Sequence, residues 1–285
     1  RQTAFARTAL YPNLIQVYRP LFSSSRRHHG TATTPHRNTI MGIIIAVVIV
    51  FFIAGMVKGV IGLGLPTIAM GLLTAIYPPA MAASLLLIPS TVTNVWQLCL
   101  GTPVWPLFKR LWPMLAGIVA GTLFSFLPPL SSNSAWVHAG LGLILCLYGL
   151  WGLLGRKLPS SQRHERWLSP CIGYLTGTIT AATGVFVLPA VPYLQTLSLS
   201  KGELIQALGL SFTVSTLALA AQLIWHTGLP NMNVGLSAFA IVPAIIGMYA
   251  GQHIRQYISE TVFKRCFFTG LMLLGAYMLL KDLLI

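Results

Sequence analysis

Long runs of apolar side chains, parted by short polar or basic stretches, make up most of this chain. The runs fall near 43–64, 66–77, 80–101, 107–127, 134–155, 169–199, 202–226, 232–252 and 260–280. Most meet or approach the ~20 residues that a helix needs to cross a hydrocarbon layer. Polar and apolar positions do not alternate between short turns, so membrane strands are not predicted. Gly59, Gly62, Gly64 and Pro66 interrupt the first of these elements, and Thr183, Gly184, Pro189 and Pro192 interrupt the sixth run. Glycine and proline weaken or bend a helix, and the backbone groups they free need a partner other than lipid. Each of these places is expected to give a pair of short elements that either cross or re-enter.

The pattern occurs twice. Pro113, Gly117, Gly121 and Gly140 return with unchanged spacing as Pro243, Gly247, Gly251 and Gly270. Upstream, Gly55 and Gly59 return as Gly173 and Gly177, and Gln97 as Gln222, with the offset drifting as loops allow. We therefore divide the chain into a leader, 1–40, a first transmembrane repeat, 41–155, a basic linker, 156–168, and a second repeat, 169–285. The charges on corresponding loops are opposed. Lys109 and Arg110 follow the 80–101 run, whereas the matching loop at 227–234 is uncharged; 127–135 is uncharged, whereas its counterpart carries Arg255, Lys264 and Arg265. Lysine and arginine prefer the cytoplasmic side, so the halves are expected to be inverted, with the linker inside and both ends of the body outside. The fold class expected is an all-α polytopic membrane protein of two inverted repeats, with about eight to ten transmembrane elements and a broken or re-entrant first element in each repeat.

Composition agrees: 55% of the residues are hydrophobic and 8% charged, too little polar surface for a soluble globule of this length. The net charge of +14 does not point to nucleic acid, because six of the eighteen basic residues lie in the first forty positions and the others lie between apolar runs. Cys99, Cys146, Cys171 and Cys266 lack metal or redox spacing and are expected as small buried hydrophobes. No metal site and no cofactor are expected. The four acids, Glu165, Glu203, Glu260 and Asp282, avoid the middles of the runs. The leader, with arginines, Ser and Thr but no acid, has the composition of a transit peptide. Since Met41 stands directly before the first run, the favoured reading is a disordered upstream extension outside the fold.

Gly55-Met-Val-Lys-Gly-Val-Ile-Gly-Leu-Gly-Leu-Pro66, continuing through Thr67 to Leu73, Pro78-Pro79-Ala80, Ile88-Pro89-Ser90 and Thr93-Asn94-Val95-Trp96-Gln97, resembles the first repeat of the TauE/SafE sulfite exporter family. The second repeat, Gly173 to Pro192 and Ser211 to Gln222, is similar in a looser form, with Ala182-Thr183-Gly184 where more glycines are common. The resemblance covers nearly all of 41–285 and implies export or exchange of small sulfur-containing anions across the cell inner (plasma) membrane. It supplies a substrate class, not the particular anion.

Three groups of residues are expected to bind that substrate. Lys58 lies between Gly55 and Gly59 at the first interruption; an intramembrane cation suits an anion, while the bland reading has it snorkel to headgroups. Its counterpart in the second half is Thr176, so the site would be asymmetric. The interruptions themselves, Gly62, Gly64, Pro66 and Thr67 in one half and Thr183 and Gly184 in the other, would begin helices near Pro66 and Gly184 whose N–H groups meet an anion near mid-membrane. The paired glycines serve helix packing equally well. Asn94, Gln97 and Gln222 are the polar side chains within runs expected to line a path. The expected protein is a permease working by alternating access, not an enzyme. Its partners would be a small anion, the lipid bilayer and, optionally, a second copy of the chain. One alternative is an intramembrane serine hydrolase built on Gly209-Leu210-Ser211-Phe212 with His226 or His253 as base, although those histidines are expected at opposite membrane edges. Another is a membrane scaffold, which the lack of a sizeable soluble loop disfavours.

Overall fold

In the computed structural model the described residues are 34–99, 104–132, 135–155, 164–228 and 233–284, and all regular structure among them is helical. The helices are α1 (Thr34–Ile61), α2 (Leu65–Thr74), α3 (Pro79–Cys99), α4 (Val104–Leu123), α5 (Ala135–Leu154), α6 (Glu165–Thr183), α7 (Ala190–Gln195), α8 (Lys201–Thr227), α9 (Val234–Phe239), α10 (Ile241–Ile254) and α11 (Glu260–Leu284), with a 3-10 turn at Leu130–Ser132. The chain forms two units, 1–46 and Val47–Ile285. In the first, helix begins at Thr34, ahead of Met41; the rest of the expected leader lies outside the described residues. Most of the linker, 156–163, lies outside them too.

Among the described residues six helical segments are long and apolar enough to cross a membrane: Met41–Ile61, Pro79–Cys99, Trp136–Leu154, Lys201–Thr227, Val234–Ile254 and Thr261–Leu280. The larger number read from the runs included pieces too short or too polar to qualify alone. α2 has ten residues and α7 six, while α4 carries Lys109 and Arg110, and α6 carries Glu165, Arg166 and several threonines.

Glycines place the helices of the second unit. Lipid tails are as apolar as leucine, so helices in a membrane associate through close backbone packing at small residues. A Cβ built on Gly55 would lie 2.2 Å from the Ala244 carbonyl oxygen, and one on Gly59 2.1 Å from that of Met248, so α1 runs backbone to backbone with α10. The reverse contacts come from Gly247 against Phe52 and Gly251 against Met56. The same arrangement joins α4 to α6: Gly117 and Gly121 abut Pro170 and Tyr174, and Gly173 and Gly177 abut Met114 and Ile118. Eight of the glycines whose spacing recurs in sequence thus pair, Gly55 and Gly59 with Gly247 and Gly251, and Gly117 and Gly121 with Gly173 and Gly177, whereas Gly140 and Gly270 make no such backbone approach.

α3 pairs with α8, and α5 with α11, the latter through Gly142, Gly149 and Gly275. Leu85, Leu86, Leu111, Met114, Phe186 and Phe212 are fully buried, whereas Trp136, Trp167, Trp225 and Tyr249 are exposed. The cysteines correct the sequence reading: Cys99, Cys171 and Cys266 are exposed and Cys146 is half-buried. An apolar run in a membrane protein serves a lipid-facing side as well as a core, so apolar flanks do not place a cysteine inside.

Polar ties fix the helix ends. Ser200 and Glu203 form a reciprocal capping box at the start of α8. Arg110 donates to both Glu165 oxygens at 2.7 and 2.8 Å and to the Leu197 carbonyl at 3.2 Å, holding α4, the start of α6 and the segment after α7 together.

Candidate functional site

Lys58 lies in the last turn of α1 and is 3% exposed, so it does not snorkel. Its Nζ donates to Thr93 Oγ1 at 3.1 Å and to Asn94 Oδ1. Thr93 spends its own hydrogen on the Pro89 carbonyl at 2.8 Å, so its oxygen is free to accept from the lysine. Asn94 Nδ2 then donates to Ser90 Oγ at 3.1 Å, and Ser90 meets Thr216 Oγ1 of α8 at 3.3 Å. Thr216 in turn donates to the Phe212 carbonyl at 2.7 Å. The chain of donors therefore runs away from Lys58 and into α8, each bond polarising the next. Only neutral oxygens meet the lysine. Among the described residues the ion pair is Arg110 with Glu165, so the structure gives Lys58 no carboxylate. A cation placed in a membrane interior without a counter-charge is costly and marks a site where an anion can compensate it.

The network forms beside a proline inside α3. Pro89 has no N–H, which leaves the Leu85 carbonyl without its helical donor. Ser237 of α9 fills the gap: its hydroxyl donates to Leu85 O at 2.9 Å and accepts from Ile88 N at 3.4 Å. The next turn of α3 then presents Ser90, Thr93 and Asn94. Gly209 lets α8 approach, since a Cβ there would sit 3.3 Å from the Asn94 carbonyl oxygen.

Around the first break, Gly62 and Gly64 have φ of 77° and 106°, conformations that suit glycine alone, and Gly64 precedes α2 with Pro66 in its first turn. The expected helix start near Pro66 is therefore present. Thr67 is buried in that turn and its hydroxyl has no partner. The second break differs from expectation. Gly184, with φ of 70°, ends α6 instead of opening a helix, its N–H returning to the Thr180 carbonyl. Helix resumes only at Ala190, for six residues, too short to offer an N-terminal anion site. A left-handed glycine is a helix C-cap, and Pro189 disfavours helix in the residue before it. Thr183 likewise caps no new helix; its hydroxyl donates to the Ile179 carbonyl and accepts from Val185 N. The second break does touch the first interrupted element. A Cβ on Gly184 would lie 2.7 Å from the end of Met70, in the interior of α2.

Gln97 lies one turn beyond Asn94, with Nε2 donating to the Ile205 carbonyl at 3.0 Å and Oε1 buried and unpaired. Gln222 also has a buried, unpaired Oε1 but belongs elsewhere, since it lies seventeen residues past Ile205 on α8. At 1.5 Å per residue that is roughly 25 Å. Of the expected set, then, Lys58 and Asn94 are in contact, and Gln97 and Gly62 each lie one turn away. A cavity of about 610 Å³ adjoins Gly62, bounded by Ile61 and Leu63 and by residues of α5, α7, α8, α10 and α11. Because Gly62 N donates to the Lys58 carbonyl, Lys58 stands one turn behind the cavity wall.

A family model described as sulfite exporter TauE/SafE matches residues 47–278. The chain belongs to the TauE/SafE sulfite exporter family. Comparison with curated proteins gives no match, and comparison with solved structures gives none. Membership in the TauE/SafE family and six membrane-length apolar segments make this a multi-pass membrane protein with the build of a transporter. The hydrolase alternative lacks the contact it needs: the Ser211 hydroxyl is buried without a hydrogen-bond partner, and His226 and His253 are exposed. In this TauE/SafE protein the sequence singled out Asn94, Gln97 and Gln222 but not Ser90, Thr93, Thr216 or Ser237. The i, i+4 spacing of Ser90 and Asn94 was the available signal for the first; nothing local marked Thr216 or Ser237.

Proposed function

We propose that this TauE/SafE protein carries a small sulfur-containing anion, sulfite or a sulfonate, across the cell inner membrane by alternating access, with Lys58 as the counter-charge. The observation that carries the reading is the burial of Lys58 among neutral acceptors with no carboxylate beside it. Such a cation is poised to gain more from an arriving anion than a solvated lysine would. Asn94 and Thr93 hold it in place, and Gln97 offers a further polar group along the same helix.

The two repeats, 41–155 and 169–285, are read as inverted. Helix ends support this. α1 and α5 arrive at the cavity with Ile61 and Gly155, and α3 arrives with Gln97 against Ile205. In the second half α8 and α11 leave from the cavity with Lys201 and Lys264, while α10 arrives with Arg255. α6 also leaves from that end, since Ser169 near its start bonds Tyr193 of α7 at 2.6 Å. With α2 and α7 as the short return strokes, each half makes an odd number of passes, and the basic cavity end is cytoplasmic.

The test is flux of radiolabelled sulfite, methanesulfonate and chloride in proteoliposomes of the purified protein, with Lys58→Gln alongside. Uptake of the sulfur anions over chloride, lost in Lys58→Gln, is the expected result. No uptake of either sulfur anion by the unmodified protein would refute carriage, and full uptake by Lys58→Gln would remove the lysine from the mechanism.

A further inference from the structure

The cavity beside Gly62 contains donors that neither Lys58 nor the helix breaks explain. Tyr148 and Trp151 are three apart on α5, so they share a face, and both line the cavity. Their rings stack with centroids 6.0 Å apart, and Phe268 meets Tyr148 edge-on at 5.2 Å. Tyr148 is fully buried, yet its hydroxyl has no hydrogen-bond partner, and neither has the indole Nε1 of Trp151. Buried donors are nearly always satisfied, so two on one wall call for a ligand. An indole N–H can only donate and a phenol donates readily, so the missing partner is an acceptor. Lys201, Arg255 and Lys264 reach the same cavity from α8, the end of α10 and α11, and among the described residues no Asp or Glu lines it. Glu203, close to Lys201 in sequence, is turned away to accept the Ser200 N–H in the α8 cap.

We propose that Tyr148 and Trp151 form an oxyanion subsite in this cavity, a loading station from which an anion passes behind Gly62 to Lys58. This rests on the transport reading and adds to it the residues that first receive the anion. Both residues belong to the cavity wall while their donor atoms are buried within it, so the proposal includes their uncovering as the anion enters. A hydrogen bond made there does not compete with water. The ligand is a compact oxyanion group whose several oxygens can accept from both donors while the cations neutralise it. That group is present both on free sulfite and on the phosphate of an anionic lipid headgroup.

Titration calorimetry on the full chain in lipid-free detergent micelles, with sodium sulfite and separately with phosphatidylglycerol, tests it. Tyr148→Phe keeps the ring and its packing while removing the donor, and should weaken oxyanion binding about tenfold or more with thermal stability unchanged or raised. Trp151→Phe should act in the same direction. If sulfite binding falls in both variants, the free anion is the occupant. If phosphatidylglycerol displaces sulfite from the unmodified protein but binds poorly to Tyr148→Phe, the subsite holds and its occupant is the lipid phosphate. Unchanged affinity for both ligands in Tyr148→Phe overturns the subsite; if Lys58→Gln still abolishes sulfite binding, the transport reading survives alone. If the unmodified protein neither binds nor carries sulfite, the transport reading fails. The lipid arm then decides the subsite: binding that depends on Tyr148 keeps it, and binding indifferent to Tyr148 removes it.

Discussion

A methyl group at Gly59 should drive α1 away from α10. The Cβ of Gly59→Ala would lie 2.1 Å from the Met248 carbonyl oxygen, 2.9 Å from Gln252 N and 3.0 Å from Gly251 Cα. Carbon and carbonyl oxygen settle near 3.3 Å, so the helices must part by roughly 1 Å. Every one of those neighbours is backbone and cannot rotate aside. Separation also loosens the reciprocal contacts of Gly247 and Gly251 with Phe52 and Met56, which depend on the same approach. Overpacking of this kind costs about 1–3 kcal/mol, while alanine returns up to about 1 kcal/mol of helix propensity. With the full propensity gain subtracted, a net loss of up to about 2 kcal/mol remains. Gly270 in α11 is the internal control, because a Cβ there meets nothing within 4 Å and only the propensity gain applies. Thermal unfolding followed by tryptophan fluorescence in detergent should show Gly59→Ala melting several degrees below the unmodified protein and Gly270→Ala at or above it. Gly177→Ala, whose Cβ would lie 2.2 Å from the Ile118 carbonyl oxygen, should fall by a similar amount. If Gly59→Ala melted together with Gly270→Ala, the backbone-to-backbone packing of α1 on α10 would be refuted.

Asn94→Asp supplies Lys58 with an internal carboxylate at nearly the same volume, so the protein should keep its melting temperature but lose sulfite binding by calorimetry; retained binding would mean that the lysine charge is not what the anion meets. Ser237→Ala leaves the Leu85 carbonyl beside Pro89 without a donor and should cost about 1–3 kcal/mol in the same melting assay. Lys58→Met, which keeps the stem but removes the charge, should leave folding intact or improve it, and a collapse of the fold would show that the cation is structural. Compartment reporters placed in the linker at 156–168 and after Ile285 should read cytoplasm and outside respectively, and a shared compartment would replace the proposed inverted repeats with parallel ones.

Helical character, membrane residence, the glycines that carry packing and the family were all legible in the residues themselves. Each depends on local chemistry: run length against bilayer thickness, small side chains at three- and four-residue spacing, and a motif from Gly55 to Gln97 that stands in one stretch. Tertiary structure decided what depends on the partner across the contact. Gly55 and Gly59 could have packed within their own half, and only the assembled chain sets them against α10, where Gly247 and Gly251 answer from the other side. Lys58 read equally well as a snorkelling helix end or a buried cation. It is buried against Thr93 and Asn94, in the turn after Pro89, and Ser237 satisfies the Leu85 carbonyl there from a helix nearly 150 residues away, a contact with no trace in local sequence. Gly184 could open a helix or close one, since glycine suits both ends, and the answer came from its left-handed φ against Met70. The unpaired Tyr148 and Trp151 donors were invisible for the same reason: a hydrogen bond that is missing is a property of the whole surrounding, and sequence records only the group that could have made it.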